Sequence, residues 1–451
     1  MLRTLPCCVD VPREGPLVRY GLEELLRGLG LAPAWVGRGD ARLVLATDPA
    51  GADGLVLRVT PQASADLATP RLPAVDALGW LAVDGERWPV PVGPPGEATL
   101  GDAVAGAAWW LAGLQERATA ARDAHGRVAH ADSLQSRLDG PGGATRPAVD
   151  AVRRALGHAL RARGVEAAPL GWGGAPWAVA LTHDLDALRL HRLRALAGGL
   201  RQLRPALAVR RAFGPDRRRA SLDALEALSR RHGDGATWFV KPGRWGPHDP
   251  PVDLGAHAAR VRALPGEVGW HPGYGAHDSA GRLAAEHAVF VDAVGAPPAL
   301  ARTHFLRWAE PETPRLLAAT GVRLDSTLGW ADAPGFRRGT AHPFRLFDLD
   351  AGRPTALWEM PLALMDTTLT TYQRLDAEAQ ANALAAVAAG AREAGGCAVV
   401  LWHNQLGADD RAWGRRLDTL DHALGHARRQ GAAIGPLGTL LDGHQGRSWR
   451  R

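Results

Sequence analysis

Lysine is nearly missing from this chain. Of its 53 basic residues only Lys241 is one, so the positive charge is almost entirely arginine. With alanine and glycine also abundant, this looks like a coding bias. The net charge of +6 and the isoelectric point near 9.9 therefore make no case for a nucleic-acid partner. Cysteine is scarce as well. Cys7 and Cys8 are adjacent and badly placed to bridge each other, and Cys397 stands alone. No disulfide framework is legible, which favours a reducing compartment. The N-terminus lacks a basic stretch followed by an apolar one, so no signal peptide is expected. The longest apolar run, Ala103 to Leu114, is too short for the ~20 helical residues a bilayer requires. These absences together predict a cytoplasmic protein.

What the chain does have is hydrophobic content of 46%, ample for a large core. At 451 residues it is long enough for two or three domains. Residues 1–170 read as a smaller α+β unit. Residues 42–46 and 55–59 look like short strands, and Trp80 to Val92 like a hairpin turning at Asp84-Gly85. Helices are expected over 102–121 and 147–163. This half carries no cofactor motif or metal-ligand cluster, and a structural, docking or substrate-presenting role is expected of it. The glycine-rich stretch 171–176 reads as a linker.

From 177 to 445 the pattern changes. Apolar strands at 178–186, 236–241, 267–271, 299–305, 322–325, 357–363, 398–402 and 432–434 alternate with helical stretches at 221–232, 280–294, 311–320, 376–394 and 413–429. Such alternation predicts a parallel α/β sheet or barrel whose active site lies at the C-terminal strand ends. Polar residues gather at those ends: Asp184, Asp186, His271, His304, Asp325 and His403. In the first strand, Asp184 and Asp186 should share a face. Two carboxylates on one side of a strand end repel, and a cation or a shared proton would resolve the conflict. The bland alternative is a pair of aspartates capping the next helix.

These residues resemble the polysaccharide deacetylase superfamily, the NodB-homology carbohydrate esterases. The likeness is nearer to a bacterial subgroup whose first motif is THDxD and which carries an N-terminal domain of unknown role. It is borne by THDLD at 182–186, EVGWHPGY at 267–274, RTHFLRW at 302–308, LDSTLGW at 324–330, GFRRGT at 335–340, EMPLALMD at 359–366 and LWHN at 401–404. The ordered set is more specific than any single motif. The resemblance implies a distorted barrel of seven or eight βα units, a divalent metal, usually zinc, and hydrolysis of N- or O-acyl groups on sugars. It implies Asp184 as general base, Asp186 and His271 as metal ligands, Arg302 as the group holding Asp184, and His403 as general acid oriented by Asp325. Here the chain departs from the family. The second histidine is expected four residues after the first, where Gly275 stands. His304 and His277 are the two candidates for that place, and His304 is preferred because a strand end fixes a ligand better than a loop.

Leu188 to Arg219 holds ten arginines and one acid, Asp216, with leucines at helical spacing. It reads as a basic amphipathic helix and loop. It is either a solvated face or a contact for an anionic glycan, a lipid-linked sugar or the inner membrane surface. Nucleic acid comes last. The expected partner is an acylated saccharide. The alternatives are hydrolysis of a non-sugar amide on the same scaffold, or an inactive glycan-binding relative.

Overall fold

The computed structural model describes residues 2–12, 14–48, 50–51, 54–140, 142–186, 188, 217–243, 248–249, 252–404 and 410–446. Apart from Leu188 and the start of the helix Arg217–His232, the expected basic helix and loop lie outside the described residues.

The N-terminal part contains a four-stranded parallel sheet. Its strands are β1 (Arg3–Asp10), β2 (Leu31–Trp35), β3 (Leu43–Ala46) and β4 (Leu55–Arg58), in the order β2-β1-β3-β4. Two of these, β1 and β2, were not legible in the sequence, because proline interrupts each run. The hairpin forms as expected from β5 (Gly79–Val83) and β6 (Glu86–Val90), with β7 (Gly96–Glu97) added alongside β5. Asp84 and Gly85 both take positive φ, 52° and 82°, which a two-residue turn between twisted strands requires. The helix expected over 102–121 begins at Leu100, where Thr99 Oγ1 accepts the Asp102 N–H, and ends at Leu111. Gly113 then turns left-handed and a second helix runs over Leu114–Ala118.

The remainder is a ten-stranded sheet flanked by helices. Its strands are β8 (Trp177–Leu185), β9 (Ala236–Val240), β10 (Gly266–Trp270), β11 (Leu300–Ala301), β12 (Leu324–Asp325), β13 (Phe344–Asp348), β14 (Arg353–Glu359), β15 (Leu362–Met365), β16 (Cys397–Leu401) and β17 (Ala432–Gly435). The hydrogen-bonded path is β13-β14-β12-β11-β10-β9-β8-β16-β15, and all its pairings but β13·β14 are parallel. β17 pairs with the first half of β8 and β9 with the second half. β14 and β15 are separated by only Met360 and Pro361, yet they lie near opposite ends of this path. The sheet must therefore curl, giving the expected distorted barrel. The same dipeptide divides the single strand expected over 357–363, since Pro361 has no N–H for a ladder.

β8 is buried at all nine positions, as its unbroken apolar run demands. The strand expected over 299–305 stops at Ala301. Beyond it the chain enters a tight turn in which Phe305 and Leu306 adopt φ of 61° and 54°. Left-handed backbone at two successive non-glycine residues costs roughly 1–2 kcal/mol each, so the surrounding structure must hold it in place. It places His304 in that turn, three residues past the end of the strand.

Candidate metal centre

β8, β9, β10 and β11 are successive neighbours in the sheet, and the C-terminal ends of β8, β10 and β11 deliver their polar residues to one place. Asp186 Oδ1 lies 3.4 Å from His271 Nε2 and 3.3 Å from His304 Nε2. Candidate ligand atoms of the three residues all fall within 4.8 Å of one another, and all three residues are buried. The two imidazole rings meet nearly edge to face, 5.1 Å between centres. Among the described residues these form the one group of at least three such side chains able to hold a metal ion.

Hydrogen bonding fixes which nitrogen each histidine presents. His271 Nδ1–H donates to the Arg302 carbonyl at 2.6 Å. Burial, outweighing the pull of Asp184 and Asp186, lowers its pKa and keeps the ring neutral. Its Nε2 lone pair then faces a carboxylate oxygen, and that nitrogen has no hydrogen-bond partner. Two acceptors turned toward each other repel, and a cation between them removes the conflict. His304 Nδ1–H donates to Asp249 Oδ1 at 2.9 Å, which likewise directs Nε2 toward Asp186. Burial pulls the His304 pKa down, but Asp186 and Asp249 outweigh it and hold it above its ordinary value. Burial also raises Asp186, yet the charge of His304, with Lys241 behind it, keeps its carboxyl well below the usual range. A metal binding here would displace the His304 proton. Two neutral imidazoles and one carboxylate, each held by an outer hydrogen bond or charge, are a donor set that fits a divalent ion.

The outer shell was largely invisible in the sequence. Asp249 receives Lys241 Nζ–H at 2.8 Å and the Tyr274 N–H at 3.0 Å. Lys241, the only lysine, is fully buried against it. Glu286 accepts the Gly273 N–H at 2.7 Å, and burial pushes its carboxyl up to about 7. A side chain at Gly273 would put a Cβ 2.8 Å from Glu286 Oε1 and 3.0 Å from Asp249 Oδ2, so it would push these carboxylates aside.

Asp184 lies beside this group, 3.8 Å from His271 Nε2 through Oδ2. Arg302 reaches its Oδ1 at 3.1 Å and also donates to Thr182 Oγ1, the Ser326 carbonyl and Ser326 Oγ. Every arm of that guanidinium is therefore fixed. His403 follows β16 and donates through Nδ1 to Asp366 Oδ1 at 2.6 Å, while its backbone N–H meets Asp366 Oδ2 at 3.1 Å. Burial pulls its pKa down, but Asp366, then Asp186 and Asp184, raise it to about 9.

Two expectations are corrected here. Asp325 does not orient His403. Its carboxylate accepts the Thr327 N–H and hydroxyl and shares a hydrogen bond with Glu359 on the neighbouring strand. Asp366 holds His403 instead, because β15 lies next to β16 whereas β12 is five strands away along the path. His277 is not part of the metal group. Its Nδ1 sits 3.3 Å from Asp278, and its carbonyl accepts the Thr313 hydroxyl.

No family model and no curated protein matches the chain. Solved structures do overlap with it. One is described as a polysaccharide deacetylase from Pseudomonas aeruginosa (15% identity, 60% of this chain and 91% of the other, TM-score 0.41). Another is described as a polysaccharide deacetylase from Mycobacterium smegmatis (18%, 58% and 94%, TM-score 0.38). A third is a carbohydrate esterase family 4 pseudoenzyme from Bacillus anthracis (14%, 59% and 66%, TM-score 0.32). The overlaps are partial and the identities low, and the geometry above stands on this chain's own contacts.

Proposed function

We propose that the chain is a metal-dependent hydrolase that removes an acyl group, such as acetyl, from an N- or O-acylated saccharide. The observation that carries this reading is the convergence of two imidazole Nε2 atoms on Asp186 Oδ1 at 3.4 and 3.3 Å, with a carboxylate and a raised histidine beside them. A divalent ion, zinc for this donor set, supplies Lewis acidity to water and to the acyl carbonyl. Asp186, His271 and His304 hold it. Asp184 takes the proton of the attacking water, and Arg302 holds that carboxylate in place. His403 gives a proton to the departing nitrogen or oxygen, and Asp366 keeps it charged at neutral pH. The saccharide substrate rests on the resemblance of the ordered motifs. An inactive binding module is disfavoured because a base and an acid stand together, each with a partner that holds it, Arg302 for Asp184 and Asp366 for His403.

The test joins metal analysis with acetate release. The purified protein is expected to carry about one zinc per chain and to release acetate from N-acetylated oligosaccharides. Asp186→Ala should lose the metal. Asp184→Asn and His403→Ala should keep it and lower kcat by about 10²- to 10⁴-fold. A wild-type protein that binds no divalent ion overturns the reading.

A further inference from the structure

The N-terminal half sends one turn, residues 123–127, to the rim of the sheet beside the metal group. Asp123 organises it. Its Oδ1 accepts the backbone N–H groups of His125 and Arg127, and its Oδ2 the Arg127 Nε–H. Two arginines then fasten the turn to the barrel. Arg127 donates to the Phe305 carbonyl at 2.8 Å and to the Tyr372 hydroxyl at 2.9 Å. Arg307 donates to the His125 carbonyl at 3.0 Å and the Tyr274 carbonyl at 2.8 Å, and its guanidinium lies 4.3 Å over the Tyr274 ring.

The result is a group of four rings drawn from four segments of the chain. His125 lies 4.6 Å from Phe305, 5.8 Å from Tyr274 and 5.6 Å from His248, centre to centre. Its Nδ1 hydrogen-bonds the Tyr274 hydroxyl at 3.1 Å. Phe305 in turn packs edge to face on His304, 4.7 Å away. The group is thus one ring removed from a candidate metal ligand. None of its four rings is buried as a core ring would be: His125, Tyr274 and Phe305 are half-buried, and His248 is exposed. The left-handed turn at Phe305 holds its ring there against backbone preference. The Arg307 guanidinium covers a face of Tyr274, but all four residues keep solvent-accessible surface, as the lining of a ligand site does and a contact that only joins two halves need not.

We propose that these rings form a saccharide subsite in which His125, a residue of the N-terminal half, helps to grip a pyranose ring adjoining the scissile acyl group. The apolar C–H face of a pyranose packs on an aromatic face, and its hydroxyls pair with the imidazole and phenol edges. The N-terminal half on this view sets substrate specificity. The proposal rests on the hydrolase reading above and extends it to a residue outside the barrel.

The test compares His125→Ala and His125→Phe with the wild-type full-length protein, each loaded with zinc. The substrates are tri-N-acetylchitotriose and 4-nitrophenyl acetate, which has no sugar ring. His125→Ala is expected to raise KM for the trisaccharide by about 3- to 10-fold, the worth of one aromatic contact. Its kcat/KM should fall more for the trisaccharide than for the ester, and His125→Phe should recover part of the difference. Equal losses on both substrates would mark His125 as structural only, and an unchanged KM for the trisaccharide would remove it from the subsite. Either result overturns this proposal and leaves the hydrolase reading intact. Hydrolysis of the ester but of no saccharide by the wild type overturns the saccharide reading and this proposal together.

Discussion

His403 shows how much a single partner decides. Its Nδ1 is tied to Asp366, and its pKa is raised to about 9 from the ordinary 6.5. A raised histidine is protonated, and ready to act as an acid, at every pH below that value, and loses this capacity as pH rises through it. The alkaline limb of the kcat profile should therefore lie above neutrality. Asp366→Asn keeps the shape but removes the charge, so the limb should move to lower pH and kcat at pH 8 should fall by about tenfold or more. A pH profile of acetate release checks this, and a limb that stays in place in the variant would mean Asp366 does not tune His403. The identity of that partner was not readable from the motifs. Asp325 and Asp366 both stand at or just past the end of an apolar strand, and spacing alone favours neither. Only strand order separates them, and strand order is set by packing between elements distant in sequence. Asp184, Asp186 and His271 were legible for the opposite reason. The apolar run Trp177–Leu181 leads into the first two within five residues and Trp270 directly precedes the third, so the local sequence puts each at or near a strand end. Asp249 had no such signal, since it sits in an irregular stretch and acts through Lys241 and His304.

At the scale of elements, β12 and β14 are paired so that Asp325 lies opposite Glu359. Both are fully buried. Burial raises both carboxyls, Asp325 to about 6 and Glu359 well above its ordinary value; Asp325 pushes Glu359 further up, whereas the hydrogen bond from Glu359 holds Asp325 down. The pair therefore retains a proton that the unfolded chain gives up at lower pH. A carboxyl whose pKa is raised on folding stabilises the protein below its unfolded value, and that contribution is lost as pH rises toward and through its folded value. The stability of this chain should accordingly decline between about pH 4 and pH 6 and beyond. Glu359→Gln keeps an acceptor for the Leu328 N–H, which Glu359 Oε1 holds at 3.0 Å, and supplies a permanent donor to Asp325. The variant should lose stability less steeply over that range. Urea midpoints at pH 5 and pH 8 measure the effect, and an equal decline in both proteins would exclude the pair as its source. The same strands mark where pattern reading stops. β11 and β12 hold two residues each, too short to bear any periodicity, and only the polar residues at or just beyond their ends announced them.

For the whole molecule, the stretch 171–176 suggested a linker between two units, and the buried apolar residues of both halves pack into one continuous cluster. Charge reinforces it. Glu116 from the N-terminal half pairs with Arg337 and Arg338, all three buried. Asp150, fully buried, pairs with Arg153 and accepts the Thr340 hydroxyl at 2.8 Å and the Ala341 N–H at 2.7 Å. Burial would raise its carboxyl, but Arg153 and His342 hold it far below the usual range. This one carboxylate thus satisfies a buried guanidinium from its own helix and two donors from the barrel side. Asp150→Ala leaves those groups without a partner, and breaking a buried ion pair in this way costs about 3–5 kcal/mol. The cost should fall on both halves at once, because the donors it strands belong to both. Tryptophans are buried on each side of the contact, Trp88 and Trp109 on one and Trp238 and Trp270 on the other, so fluorescence reports on both. Thermal unfolding of the variant should remain a single transition, at lower temperature, with fluorescence and far-ultraviolet circular dichroism coincident. Two separated transitions, with the second unmoved by the substitution, would mean that the halves are energetically independent and that Asp150 serves only its own side.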